Sequence, residues 1–181
     1  MMKKLVGEKE IFAVEYMFDE NSHSTELSMF VGGVNILEYV RENKVLTACW
    51  DFDELAQWLR SFLDNLSNDP YPAIVEGEFA AQKDDAARKF DSDDDNEFEE
   101  YYNKLYVWNQ KHRWHSVSSG AILADVFFQQ VDEYVEVSWD NRGLDNDVKF
   151  SSEMGGCRVP KKVFVEVTNE FLNDYADYWF G

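Results

Sequence analysis

The chain has 181 residues and a formal net charge of −19 at pH 7, and 16% of its residues are aromatic. This length suits one domain, and the aromatic content is too high for a disordered acidic tail. The charge argues against binding to DNA, RNA or anionic lipid, because the phosphate attraction that drives such binding has the wrong sign.

The cysteines and the first segment bear on the cellular compartment. Cys49 and Cys157 lie far apart, which predicts two buried, reduced thiols rather than a disulfide. The start, MMKKLVGEKEIF, lacks the continuous apolar region of a secretory signal, and no apolar run is long enough to span a bilayer. We therefore expect a soluble, cytoplasmic protein.

The first predicted elements are strands, followed by a helix. EIFAVEYMF and ELSMFV flank a polar turn, and NILEYV and VLTACW form a hairpin joined by RENK. Asp51 is the predicted N-cap of a helix, with Glu54 as its reciprocal partner. The apolar residues that follow at helical spacing are Leu55, Trp58, Leu59, Phe62, Leu63 and Leu66. The prolines of NDPYP end this helix.

The middle of the chain is more polar. Residues 73–95 are charged and weakly periodic, which predicts a long acidic surface loop with at most one turn of helix. Asp95 or Asn96 then caps a second helix. The residues that share one face of this helix are Phe98, Tyr101, Tyr102, Leu105, Trp108 and His112.

The last third predicts two strands and a final helix. AILADVFFQQV and YVEVSW follow the turn HSVSSG, and apolar and polar residues alternate along the second strand, as in a half-buried strand. The residues pointing one way are Val135, Val137 and Trp139, and those pointing the other way are Tyr134, Glu136 and Ser138. Pro160 suits the first position of a helix whose buried stripe is Phe164, Val167, Phe171, Tyr175 and Tyr178.

These elements together predict an α+β fold. We expect an antiparallel sheet of about five or six strands packed against about three helices. The absence of repeats or an obvious linker favours a single domain over residues 1–181.

Carboxylates are concentrated in DSDDDNEFEE, residues 91–100, which we call the acidic segment. The positive end of a helix favours each exposed carboxylate by about 0.3 to 1 kcal/mol, so part of the cluster has a structural role. One cap does not require so many acids, however. The acids between positions 84 and 100 are Asp84, Asp85, Asp91, Asp93, Asp94, Asp95, Glu97, Glu99 and Glu100, against only Arg88 and Lys89. Their mutual repulsion costs stability, which suggests a use.

Metal and catalytic motifs are incomplete. Asp91, Asp93 and Asp95 match the first ligand positions of a calcium loop, but Asn96 stands where Gly is required and Tyr102 where Glu is required. His112 and His115 are close enough in sequence to share a metal, yet no HExxH frame surrounds them. No GxSxG, P-loop or GxGxxG motif occurs. We predict no metal, no cofactor and no catalytic residue. A looser cation site at these carboxylates is an alternative, because hard cations need only several oxygens.

Several segments carry a resemblance to a known family. GVNILEY, LAQWL with DPYP, FDSDDDNEFEEYY, WNQKHRWHSVSSGAILADVFFQQV and VEVSWDN resemble the N-terminal region of some bacterial ImmA/IrrE-type zinc metallopeptidase proteins, over about residues 30–141. The HExxH helix of that family is absent here, so neither protease activity nor zinc carries over. The resemblance implies a stand-alone, non-catalytic bacterial module.

Charge and aromatic content together predict a binding protein. We expect an immunity or antitoxin-type inhibitor of a basic protein such as a nuclease toxin, because long-range attraction speeds encounter and aromatic anchors supply affinity. The predicted partner-binding residues are Asp91, Asp93, Asp94, Asp95, Glu97, Glu99, Glu100, Tyr101, Trp108 and Trp114. One alternative is a DNA mimic that blocks a restriction or defence enzyme, and another is a small enzyme or ligand-binding domain. We expect no direct contact with nucleic acid or membrane.

Overall fold

The computed structural model describes residues 3–114, 122–144 and 147–181. The strands are β1 (Lys4–Glu8), β2 (Phe12–Asp19), β3 (Ser24–Val31), β4 (Val34–Asn35), β5 (Tyr39–Arg41), β6 (Lys44–Leu46), β7 (Ala48–Trp50), β8 (Val126–Val131), β9 (Tyr134–Asp140), β10 (Lys149–Phe150) and β11 (Met154–Pro160). The helices are α1 (Asp53–Asp64), α2 (Ala80–Ala87), α3 (Asp95–His112) and α4 (Lys161–Phe180). The predicted α+β class is confirmed. The strands of the described ranges lie in three antiparallel sheets.

The first sheet is built around the predicted hairpin of β2 and β3. These strands pair from Phe12 opposite Val31 to Asp19 opposite Ser24. β1 extends the sheet beside β2, while β4 and β7 both pair with β3. The second predicted hairpin is present only next to its turn, where β5 and β6 pair and Glu42 and Asn43 have positive φ angles. The end of the second predicted strand forms β7, which pairs with β3 instead. β10 completes this small second sheet.

The third sheet, β8–β9–β11, is covered on both faces. α2 packs on one face and α4 on the other. Val135, Val137 and Trp139 join the main core, while Glu136 and Ser138 on the opposite face are buried as well. The prediction of a half-buried β9 is therefore wrong, because α2 covers the face that was expected to meet solvent.

α2 lies where a surface loop was expected. Residues 80–87 are helical, and Ala80, Ala81, Asp84 and Ala87 are buried. Together with Leu105 and Trp108 of α3, the alanines form part of a second, smaller core. The acidic-loop prediction for residues 73–95 is wrong over this stretch, because the small side chains let the helix lie close against the third sheet.

Helices α1, α3 and α4 were predicted at the positions where the structure has them, but their N-cap residues differ from the predicted ones. α1 begins at Asp53 and its N-cap is Phe52, while Asp51 accepts a hydrogen bond from the Asp53 N–H at 3.0 Å. Asp94 caps α3 instead of Asp95 or Asn96, and Pro160 is the N-cap of α4. The buried stripe of α4 is confirmed at Phe164, Val167, Phe171 and Tyr175, and Tyr178 is half-buried.

Two further predictions concern the thiols and the membrane. Both cysteines are free, as expected, but Cys49 is exposed and Cys157 half-buried, so the prediction that they are buried is wrong. Within the described ranges, no helix has the length and apolar character needed to cross a membrane.

Candidate functional site

The acidic segment joins α2 to α3 and forms the first turns of α3. Its seven carboxylate residues are all exposed. They are Asp91, Asp93, Asp94, Asp95, Glu97, Glu99 and Glu100. The structure therefore brings the predicted acidic residues together on one stretch of surface.

A cap and a side-chain hydrogen bond fix the shape of the segment. The Asp94 carboxylate accepts the N–H groups of Asn96 at 2.9 Å and Glu97 at 3.3 Å. Ser92 donates its hydroxyl to Glu97 Oε2 at 2.6 Å. Asp94 and Glu97 thus order the local backbone, which leaves the carboxylates of Asp93 and Asp95 projecting from a fixed frame.

Aromatic rings within and beside the acidic segment pack against one another. Phe90 stacks on Tyr101 with ring centroids 3.9 Å apart, and Phe98 contacts Tyr102 at 4.6 Å. The Tyr102 hydroxyl lies 3.0 Å from the Phe90 carbonyl oxygen, to which it donates. Burial raises the pKa of Tyr101, and the neighbouring Tyr102 and Asp84 add to the effect. Tyr101 is half-buried, so its ring is engaged with Phe90 before any partner arrives.

Little of the charge of the segment is neutralised. Glu100 pairs with Lys104 at 2.7 Å, and this hydrogen bond lowers the pKa of Glu100. Among the described residues, no lysine, arginine or histidine forms an ion pair with the other six acids of the segment. Arg88 and Lys89 pair instead with Asp84 and Asp85 on α2. The surface at the start of α3 is consequently strongly negative.

The two predicted tryptophan anchors lie in the interior. Trp108 is 3% exposed and Trp114 is 0% exposed. Their indole N–H groups donate to the Asp69 carbonyl at 3.2 Å and to the Ala124 carbonyl at 2.8 Å. The prediction that they anchor a partner is wrong, because both rings are already packed and hydrogen-bonded inside the fold.

Other apolar side chains on α3 are exposed, and the sequence analysis did not single them out as contacts. Phe98 is 39% exposed, Tyr106 is 63% exposed and Val107 is 55% exposed. The helical pattern contained a signal for the last two, since Tyr106 and Val107 lie off the buried face marked by Leu105 and His112. These residues extend the candidate surface from the acidic segment along α3.

Of the two histidines considered as metal ligands, the structure describes His112. His112 is buried, with Nδ1 2.9 Å from the Phe128 carbonyl oxygen and Nε2 3.1 Å from Asp69 Oδ2. His115 lies outside the described residues. In the part of the chain that the structure describes, no three side chains of the types His, Cys, Asp or Glu are grouped to hold a metal ion.

A second group of charges lies inside the protein near the acidic segment. Asp84 is 2% exposed and accepts hydrogen bonds from Arg88 Nε at 2.9 Å and from Asn109 Nδ2 at 3.2 Å. Arg113 binds Asp125 with two hydrogen bonds. These carboxylates are matched by donors and hold α2, α3 and β8 together, so we assign them a structural role.

Comparison with known proteins adds one structural match. No protein-family model matches the chain, and no curated protein does so. The crystal structure of CdiI from Burkholderia dolosa AUO158 aligns with a TM-score of 0.49 and 15% identity, covering 94% of this chain and 99% of that chain. Agreement at this level does not establish a common function, and the resemblance to ImmA/IrrE-type N-terminal regions stays a prediction.

Proposed function

We propose that the protein is a non-catalytic inhibitor that binds a basic protein, of the immunity or antitoxin type, through the acidic segment and the adjoining surface of α3. The basic partner is a nuclease toxin or another enzyme that handles nucleic acid in a positively charged groove. One observation carries the proposal. Six exposed carboxylates lie on one short segment with no ion pair to any described residue.

The energetics of encounter support a charged partner. A surface of one sign raises association rates by about ten- to a thousandfold at low ionic strength. Charge alone supplies speed and specificity rather than lasting affinity, which requires desolvated apolar contacts. Exposed Phe98, Tyr106 and Val107 provide such contacts beside the carboxylates.

The hydrogen bonds within the segment also favour binding. Asp94, Ser92 and Tyr102 hold the backbone in place before a partner arrives. A surface that is ordered in advance loses less conformational freedom on association than a disordered acidic tail does. The segment is therefore suited to rapid, tight recognition.

The test begins with capture of partners on the immobilised protein at low ionic strength and identification by mass spectrometry. A captured basic protein is then assayed for its own activity, for example cleavage of plasmid DNA, with and without an equimolar amount of this protein. We expect stoichiometric inhibition. Absence of a basic partner, or a captured partner whose activity is unchanged, contradicts the proposal.

Charge reversal then tests the surface. Reversing Asp91, Asp93 and Asp95 to Lys spares the cap at Asp94, and we expect it to slow association about tenfold or more, since steering is lost. The matched control reverses three exposed acids elsewhere in the fold: Glu133 between β8 and β9, Glu153 before β11, and Glu166 on α4. Both variants change the net charge equally, so equal on-rates would remove the acidic segment from the interface. The difference should shrink as salt rises.

A further inference from the structure

A groove of about 600 Å³ runs along one side of α3. It extends from Asn96 to Lys111 on the helix, which is about 22 Å at a rise of 1.5 Å per residue. Pro72 and Asp69 form the opposite wall near the end of the helix. Its length matches that of a helix of about four turns.

The two ends of the groove differ in chemistry. Glu99 and Glu100 line the end near the acidic segment. Val107, Trp108 and Pro72 line the other end, where Val107 is 55% exposed. An apolar side chain that covers Val107 removes its surface from water, which favours binding.

Some of the charged residues along the groove are already ion-paired within the protein, and others are not. Lys104 pairs with Glu100 at 2.7 Å, and Lys111 lies 3.6 Å from Asp69. Glu99 has no ion pair to any residue that the structure describes. The charge that remains unbalanced is therefore negative and lies at the acidic end.

From this arrangement we infer that the groove binds an amphipathic helix of the basic partner. The apolar stripe of that helix packs on exposed Val107 and Pro72, and lysine or arginine residues at one end lie beside Glu99. A purely basic segment would leave Val107 uncovered, and an uncharged one would leave Glu99 without a counter-charge. Laying an apolar helix face into a groove is a common mode of peptide recognition. The inference rests on the proposed function for the charge of the partner.

A synthetic peptide tests the groove without the natural partner. The probe is a helical peptide of about 16 residues with leucines at positions three and four apart and lysines at one end, labelled for fluorescence anisotropy. The control peptide has the same composition with the leucine stripe scrambled. We expect saturable binding of the probe to the full chain, and binding of the scrambled peptide weaker by about tenfold or more.

Paired variants localise the binding. Val107→Arg places a charge in the groove, whereas Val45→Arg makes the same substitution at an exposed valine on β6 that does not line it. We expect the first to weaken probe binding about tenfold or more and the second less than about threefold. Probe binding is also compared between Glu99→Lys and Glu166→Lys. Glu166 is an exposed acid on α4, remote in sequence from the groove, and we expect Glu99→Lys to weaken binding more. Thermal melts confirm that all four variants fold.

Three results overturn the inference: no saturable binding, equal binding of the scrambled peptide, or equal effects of Val107→Arg and Val45→Arg. The proposed function is judged separately. If a captured basic protein is inhibited and its binding is sensitive to Asp91, Asp93 and Asp95 but insensitive to Val107→Arg, the function stands and the groove is not its site.

Discussion

Two side chains of β9 cap the start of α2, and removal of the larger one should destabilise the protein measurably. Glu136 is 2% exposed, and its Oε1 accepts the Ala80 N–H at 2.7 Å, while Ser138 accepts the Ala81 N–H at 3.2 Å. Because Ala80 is fully buried, Glu136→Ala leaves its N–H without an acceptor. A buried unsatisfied donor costs about 1 to 3 kcal/mol. At about 2 to 4 °C per kcal/mol, the melting temperature should fall by about 2 to 12 °C.

Glu136→Gln separates the hydrogen bond from the charge. The amide oxygen still accepts the Ala80 N–H, so this variant should retain most of the stability that Glu136→Ala loses. Burial raises the pKa of Glu136, although the hydrogen bond from Ala80 opposes the shift. A raised folded-state pKa means that the contribution of the group to stability is complete below its unfolded pKa and is lost as pH rises through the folded value. The glutamine variant should therefore gain stability relative to wild type as pH rises.

Urea denaturation at pH 4 and pH 7, followed by circular dichroism, measures both effects. The exposed Glu133→Gln is the matched control and should stay within about 0.5 kcal/mol of wild type at pH 7. The reasoning is refuted if Glu136→Ala lies within about 0.5 kcal/mol of wild type, the usual range for surface substitutions. It is also refuted if the glutamine variant is as unstable as the alanine variant at both pH values.

Three further predictions use the same denaturation assay. Asp94→Ala removes the N-cap of α3 and should lower the free energy of unfolding by about 0.5 to 2 kcal/mol. The control Asp93→Ala should stay within about 0.5 kcal/mol of wild type, and equal losses in the two variants would contradict the capping role of Asp94. Trp114→Ala should lower the free energy of unfolding by about 3 to 5 kcal/mol because the ring is fully buried. A near-neutral result, comparable to that of the exposed Tyr106→Ala, would show that Trp114 is not a core residue. Gly155→Ala places a Cβ 2.5 Å from Trp139 Cζ2 and should cost about 1 to 3 kcal/mol through overpacking; unchanged stability would show that the indole moves aside freely.

The strongly periodic elements were predictable from the sequence. β2, β3 and α4 carry apolar patterns that belong to one secondary structure only, and local residues determine their faces. α3 was located in the same way, and its cap was displaced by one residue. Local pattern is sufficient where a segment buries one face against a single neighbouring layer.

α2 and β9 were not predictable in this way, because each depends on the other. The helix has only alanines as buried apolar residues, and its first N–H groups are satisfied by Glu136 and Ser138, far along the chain. Seen alone, Glu136 in a strand indicates a solvent-facing position. Only the packing of α2 on the third sheet turns this carboxylate into a buried cap, and no window of local sequence contains both partners.

The tryptophans illustrate a different limit. Aromatic residues are enriched both in cores and at the centres of interfaces, so residue type alone does not separate the two. For Trp108 the helical pattern placed the ring on the face of Leu105 and His112, which favours burial. Trp114 lies beyond the end of α3, where no periodic pattern gave its direction. The exposed Tyr106 and Val107 of the candidate site instead lie off this face of the same helix.

Two groups of carboxylates in this chain differ in their surroundings. Asp84, Asp125 and Glu136 are buried, and each accepts hydrogen bonds from an arginine or a backbone N–H. The carboxylates of the acidic segment are exposed, and only Glu100 has an ion-pair partner in the described ranges. Reversing a buried acid should unfold the protein, since it breaks a desolvated pair or a cap. Reversing Asp93 or Asp95 should relieve repulsion and leave the fold intact. Asp93 and Asp95 are thus distinct from the acids that stabilise the fold, so a loss of partner affinity on reversing these two would report on the interface itself.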